Sequence, residues 1–256
     1  MSVWEAVDRE LEQLRAPLPL WWRDDDAVAA TPELETLKTC AALFNAPLAL
    51  AVIPSALEPS LAEAIKHPSL NVLVHGWRHA NHAPPQEKKA EFRAHRPLAE
   101  RTEETAAGLA ALSAAFPSQT APIFVPPWNR IAPDMRAPLW KQGYRALSTY
   151  GPRRLPPPAS DGAPELLDVN THIDPIDWRG TRSAVALEKL AADLAALLTA
   201  RRLGTADPTE PIGVLTHHLV HDQRIWETVK RLLDHLCDKG RCRWVNVAEL
   251  PISNGK

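Results

Sequence analysis

Three observations predict an α/β protein shaped as a deformed, TIM-like (β/α) barrel of about seven strands, with its site at the strand C-terminal ends. Short apolar runs of strand length alternate with segments of helical period from residue 18 to the end of the chain. Clusters rich in Asp, His, Trp and Pro follow those runs rather than precede them. No internal repeat or low-complexity linker divides the 256 residues, so 1–256 reads as a single domain, with an N-terminal helix within 1–17 and a Pro-rich loop over 152–165.

Each element follows from its residues. Apolar positions 3, 4, 7, 11 and 14 give a first helix, and Leu18–Trp22 a strand ending at Arg23-Asp24-Asp25-Asp26. Thr31-Pro32 starts a helix, with Thr as N-cap and Pro in the first turn, running to about Phe44. Leu48–Ile53 is a strand, Leu57–Lys66 a helix, and Asn71–Val74 the strand that delivers His75. Glu87–Phe116 is the longest helical segment, and Pro122–Val125 a strand stopped by Pro126-Pro127. A helix over Pro133–Gln142, short strands at Ala146–Thr149 and Leu166–Val169, and a helix over Ala184–Arg201 come next. Strand Ile212–Leu215, helix Arg224–Lys239 and strand Trp244–Val247 close the chain.

Composition excludes several classes. A formal net charge of -2, with scattered Lys and Arg, gives no footprint for nucleic acid or an anionic membrane. The most apolar run, Ala46–Ile53, is too short to span a bilayer. The acidic N-terminus lacks the apolar stretch of a secretory signal, and three cysteines without CxxC spacing suggest neither a disulfide framework nor a thiolate zinc site. A cytoplasmic protein in a reducing compartment is the expectation. Oligomeric state is open.

Val74-His75-Gly76-Trp77-Arg78-His79 carries the functional signal. On a helical turn, residues at i and i+4 stand above one another, so His75 and His79 would aim at one point, as a divalent metal requires. Alone, such a pair is more often a solvated helix face, and an Asp triplet more often a cap or turn. Here Asp24-Asp25-Asp26, His75/His79 and His217-His218 each follow a separate strand, and together they indicate a hydrolytic metal site. His67, His95 and His235 read as surface residues, whereas His172 and His221 could approach the site.

These segments resemble, in order, the motifs of the polysaccharide deacetylases, the NodB-homology carbohydrate esterases. Arg23-Asp24-Asp25-Asp26-Ala27 is similar to Thr-Phe-Asp-Asp-Gly, and His75-Gly76-Trp77-Arg78-His79 to His-(Ser/Thr)-x-x-His. Val125-Pro126-Pro127-Trp128 resembles Arg-x-Pro-(Phe/Tyr), Asp174-Pro175-Ile176-Asp177-Trp178 resembles Asp-x-x-Asp-Trp, and Leu215-Thr216-His217 resembles Leu-x-His. The resemblance spans Leu18 to Leu250 and implies one divalent metal, zinc first, with manganese, cobalt or nickel chemically possible.

It further implies roles. Asp26, His75 and His79 would hold the metal, Asp25 would take the proton of the attacking water, and His217 would protonate the leaving amine. The register Asp24/Asp25 is the alternative, and His218 the alternative acid. The Trp128 N–H would face the oxyanion. Pro127, Trp128, Asn129, Trp178 and His82 would line the substrate. The family's arginine, which orients the catalytic aspartate, is Val125 here, so Arg23 or Arg130 would replace it, and Asp177 would hold that arginine or the acid histidine. The expected function is deacetylation of an N-acetylated sugar or related small molecule. One alternative is an amidohydrolase for a cyclic amide or ureide; another is a metal- or carbohydrate-binding pseudoenzyme, which Val125 would favour.

Overall fold

The computed structural model describes residues 2–153, 155 and 166–250; most of the expected Pro-rich loop lies outside them. Helix α1 (Glu5–Leu11) precedes β1 (Leu18–Ala27), α2 (Pro32–Leu43), β2 (Leu48–Val52), α3 (Pro59–Ala64) and β3 (Leu70–His75). Then come α4 (Leu98–Ala115), β4 (Thr120–Val125), α5 (Arg136–Lys141), β5 (Ala146–Leu147) and β6 (Leu167–Asp168). Helix α6 (Leu187–Arg202), β7 (Ile212–Thr216), α7 (Gln223–Cys237) and β8 (Cys242–Trp244) complete the order.

The strands pair in parallel in the order β6-β5-β4-β3-β2-β1-β7, with β8 beside the start of β1. Beyond β6 the chain returns to β7 through the parallel bridge Ile173↔Val214, so the curled sheet nearly closes. This is the deformed barrel the sequence predicts. Strand alternation sorts the core into two layers. Leu48, Leu50, Val52, Val72, Val74 and Trp22 pack outward under the helices, while Trp21, Ala49, Ala51, Leu73, Ile123 and Val125 fill the interior. The narrow interior takes alanines on β2 and one large plug, Trp21, whose indole N–H donates to the Asn170 carbonyl at 3.0 Å. Gly213 is required beside that plug, because a Cβ there would overlap the Trp21 indole and the Asn170 carbonyl.

Several expectations are corrected. Strand β1 continues through the aspartates to Ala27. The segment expected to be helical from Glu87 is not: α4 starts only at Leu98, after Pro97, and residues 87–96 form a loop that touches Ile131 through a bridge at Phe92. The last strand is Cys242–Trp244, ahead of a short 3-10 turn over Val247–Glu249. Cys237 and Cys242 form a disulfide, because the turn with Lys239 and Gly240 at positive φ folds the chain back on the end of α7. The cysteines therefore no longer argue for a reducing compartment. No helix among the described residues is long and apolar enough to cross a membrane.

Candidate active site

Strand β1 places adjacent aspartates on opposite faces. Asp24 follows Trp22 to the outer face, where it is fully buried. Its carboxylate accepts from the Thr216 hydroxyl at 2.6 Å, the His218 backbone N–H at 3.0 Å and the His218 imidazole. The Asp24 charge and hydrogen bond raise the His218 pKa although burial opposes them. Asp24 and His218, the alternative catalytic candidates, thus form a sealed pair that clamps β1 to the chain after β7.

Arg23 and Asp25 face the interior. The guanidinium meets Asp25 through Nε (2.8 Å) and Nη2 (3.0 Å), and both side chains are buried. Its remaining donors reach the Ser148 hydroxyl at 2.7 Å, the Asn129 carboxamide oxygen at 2.7 Å, and the Ser148 and Thr149 carbonyls. Of the two arginines named from the sequence, Arg23 is therefore the one that grips Asp25. Arg130 does not: it donates to the Lys89 carbonyl at 2.7 Å on the protein surface.

At Asp26 the register with β2 shifts and φ becomes +72°, turning its carboxylate toward β3. His75 ends β3 on the interior face. The Val125 carbonyl lies 3.0 Å from His75 Nδ1; as a carbonyl only accepts, the proton sits on Nδ1 and Nε2 aims at Asp26, 3.1 Å away. His79 is not one helical turn beyond His75, as the spacing suggested. It lies in a loop at φ +56°, with Nε2 3.4 Å from the same Asp26 oxygen. One ligand-type atom from each of Asp26, His75 and His79 falls within 4.8 Å of the others. Burial opposes the Asp26 charge, but hydrogen bonding from His75 and the charges of His75, His217 and His79 hold it well below the usual carboxylate range. Burial and the neighbouring His75 charge lower His79. A divalent cation fits this donor set: two imidazole nitrogens and one carboxylate, with the Val125 carbonyl orienting His75 from behind.

The loop between the histidines is held by a residue that sequence reasoning missed. Glu91 is almost wholly buried, and its carboxylate accepts from the backbone N–H groups of Trp77 (3.2 Å), Arg78 (2.8 Å) and Ala80 (3.4 Å). Gly76, at φ +59°, stands where a Cβ would overlap that carboxylate and the Pro127 ring, which accounts for glycine where the family motif has Ser or Thr. The absent hydroxyl was the available signal, but Glu91 lay inside the segment read as a helix.

Around this core, Trp128 and Asn129 both adopt φ +57°. The turn brings the Trp128 ring within 4.3 Å of His79, and spends the Asn129 carboxamide on Arg23. Together with Asp26 and His79, these make four non-glycine residues in left-handed backbone at one site, a concentration of strain typical of functional loops. His217 follows β7, its Nε2 3.9 Å from Asp25, and Trp178 meets its ring edge-on at 4.8 Å. The Trp178 indole donates to Asp174 at 2.7 Å. Burial raises the Asp174 pKa, and the His217 charge opposes the rise. Asp174, rather than Asp177, is therefore the acid of this motif beside His217. Asp177 accepts from the Gly180 and Thr181 backbone N–H groups of its own turn. His82 is exposed, its backbone bonded to Ala90.

No family model matches the sequence, and no curated protein does. Solved structures share its fold. A Mycobacterium smegmatis protein described as a polysaccharide deacetylase matches with a TM-score of 0.62 and 16% identity over 91% of each chain. A family 4 carbohydrate esterase from Streptomyces lividans, in complex with acetate, gives 0.54 and 16% over 87% of this chain and 90% of that one. A family 4 acetyl xylan esterase from Clostridium thermocellum, in complex with a cobalt ion, gives 0.52 and 14% over 89% and 87%. The chain has the fold of the polysaccharide deacetylases and family 4 carbohydrate esterases.

Proposed function

We propose that this protein is a metal-dependent hydrolase of carbon–nitrogen amide bonds that deacetylates an N-acetylated sugar or related small molecule. The observation that carries the reading is the convergence of Asp26, His75 and His79 beside the Arg23–Asp25 pair and His217, on a fold shared with deacetylases. Asp26, His75 and His79 would hold the ion, and zinc suits two imidazoles and a carboxylate. When bound, it would lower the pKa of a water and polarise the acyl carbonyl.

Asp25 would accept the proton of the attacking water, oriented by the two-point grip of Arg23. His217, in reach of Asp25 and walled by Trp178, would give a proton to the leaving nitrogen. The Trp128 N–H would stabilise the developing oxyanion, and Trp178 would line the acyl pocket. The pseudoenzyme reading rested on Val125, and the Arg23 grip on Asp25 weighs against it. The test is metal content per chain in wild type, His75→Ala and Asp26→Asn. Near-stoichiometric metal lost in both variants, together with acetate release from N-acetyl sugars by wild type only, is expected. A wild type that takes up no divalent ion would end the reading.

A further inference from the structure

Asn129 lies half-buried in the turn after β4, and its side chain reaches Arg23 on β1. That guanidinium is wholly buried, and both of its outer nitrogens are engaged. Nη1 donates to the Ser148 hydroxyl at 2.7 Å, just after β5, beside the Ser148 and Thr149 carbonyls. Nη2 donates to Asp25 Oδ2 at 3.0 Å and to Asn129 Oδ1 at 2.7 Å. One nitrogen thus carries the contact to Asp25 and the contact to Asn129. A guanidinium only donates, so the carboxamide turns its oxygen, and not its nitrogen, to Arg23. Among the described residues, the Asp25 carboxylate meets Arg23 and, at 3.9 Å, His217. Whatever fixes the guanidinium therefore fixes the carboxylate.

Two plainer roles do not account for this carboxamide. The first is conformational: φ is +57° at Asn129, a region that asparagine tolerates well. Glycine adopts it more readily still, so the backbone alone does not call for an acceptor. The second is turn-making, and the turn is already closed by its own backbone. The Asn129 N–H donates to the Pro126 carbonyl at 2.9 Å and the Arg130 N–H to the Pro127 carbonyl at 3.3 Å. What the side chain adds is a tie between this turn and the arginine that grips Asp25. Without the oxygen, one Nη2 proton would be buried and unpaired, and the guanidinium would turn toward another acceptor. The same turn carries Trp128, whose ring lies 4.3 Å from His79, so the two halves of the site share one anchor.

We propose that Asn129 is a positioning residue: through Arg23 it holds Asp25 in line with the attacking water. The inference rests on the hydrolase reading above. The test compares zinc-loaded wild type with Asn129→Gly, which keeps the left-handed backbone and removes the oxygen, and Asn129→Asp, which restores an oxygen. On the same N-acetyl sugars, Asn129→Gly should lower kcat about 10- to 100-fold with KM and metal stoichiometry unchanged, and Asn129→Asp should recover most of kcat. Arg23→Lys keeps the charge but not the two-armed nitrogen. In that background Asn129→Gly should lower kcat less than about twofold, because the group it acts through is gone. Should Arg23→Lys not fold, the Gly and Asp variants decide alone. A kcat unchanged in Asn129→Gly, or equally low in both variants, would overturn the inference and leave the hydrolase reading standing. So would a loss confined to KM, since Asn129 would then be touching substrate. Hydrolysis of none by wild type would sink the hydrolase reading instead. The Arg23 guanidinium signals in nitrogen NMR, assigned by through-bond correlation, would then decide the positioning role. Slow Nη2 rotation in wild type and fast rotation in Asn129→Gly would uphold it, and equal rotation in the two would refute it.

Discussion

Aspartate meets histidine on both faces of β1, with opposite results. On the outer face, Asp24 and His218 are buried, the carboxylate is satisfied by three donors, and the pair joins β1 to the end of β7. On the inner face, Asp26 and His79 keep about a third and a quarter of their side-chain surface in solvent, and a shared point lies open between them and His75. The residue types are the same and the sequence positions nearly so. What differs is satisfaction. A carboxylate whose lone pairs are all taken is a clamp, whereas convergent acceptors with one side open are a site. The bulge after Asp25 makes the difference, because strict alternation would return Asp26 to the clamp face.

Two substitutions on neighbouring residues would break this contrast most sharply. Asp25→Asn should lower kcat/KM for acetamide hydrolysis by about 10²–10⁴-fold, with metal stoichiometry and Tm nearly unchanged, since it removes a base and not a ligand. Asp24→Ala should do the reverse: a loss of about 3–5 kcal/mol in denaturant unfolding, because it strands His218 in a buried site, with metal still bound by the folded fraction. An Asp24→Ala protein of full stability but no turnover would show that the clamp is part of the chemistry.

Most strands were legible in the sequence because period and punctuation are local, although β1 runs past Trp22 to Ala27 and the last strand is Cys242–Trp244. The aspartate register stayed open in the sequence, with Ala27 as the small residue that favoured Asp25 and Asp26, and in the fold it is Asp26 that turns toward His75. The geometry at His79 was not. Spacing of i,i+4 implies a helix only if the backbone is helical, and here a buried carboxylate 12 residues further along the chain (79 to 91) fixes a left-handed turn instead. Arg23 was one of two candidates, and only the fold reveals that a residue two places before Asp25 on the same strand face reaches both its oxygens. Asp174 carried no assigned role in the sequence, because spacing does not reveal that it takes the Trp178 indole while Asp177 is spent on its own turn. The disulfide was hidden by a turn that the spacing of Cys237 and Cys242 does not announce.

A smaller effect should sharpen the inner half of the comparison. Glu91 touches neither the open point nor any reacting group, yet its three N–H partners bracket His79, with Trp77 and Arg78 before it and Ala80 after it. Replacing it with Gln keeps the volume but leaves an amide N–H₂ facing backbone donors. Outer-shell supports of metal-binding histidines typically carry 10–100-fold in affinity, so Glu91→Gln should weaken zinc by about that factor in competition with a chelator. Lys66→Gln, at the exposed Glu63 pair, should lose only surface ion-pair stability and leave zinc affinity alone. Equal affinity in wild type and Glu91→Gln would mean that the loop holds its shape without the carboxylate.

His221 links the two faces, and its titration gives the smallest of these effects. Its Nε2 accepts the His217 backbone N–H at 3.2 Å and its ring lies 4.4 Å from Trp226. Burial, with the charges of His217 and His218, pushes its pKa down to about 4, against the pull of Asp24. The folded protein thus refuses a proton that the unfolded chain takes up near the ordinary histidine value of about 6.5. Stability from this group is complete above that value and is lost as pH falls toward 4, amounting to about 2 kcal/mol between pH 7 and pH 5. His218 is shifted upward and works in the opposite sense, so the wild-type curve alone would mix the two. The difference between wild type and His221→Gln isolates the term, since the glutamine can still accept from His217 and does not titrate. Urea unfolding at pH 7 and pH 5 should show wild type losing more stability than the variant. Parallel losses would mean that His221 is charged in the folded protein, and that the acid side of His217 is more open to water than the sealed side of Asp24.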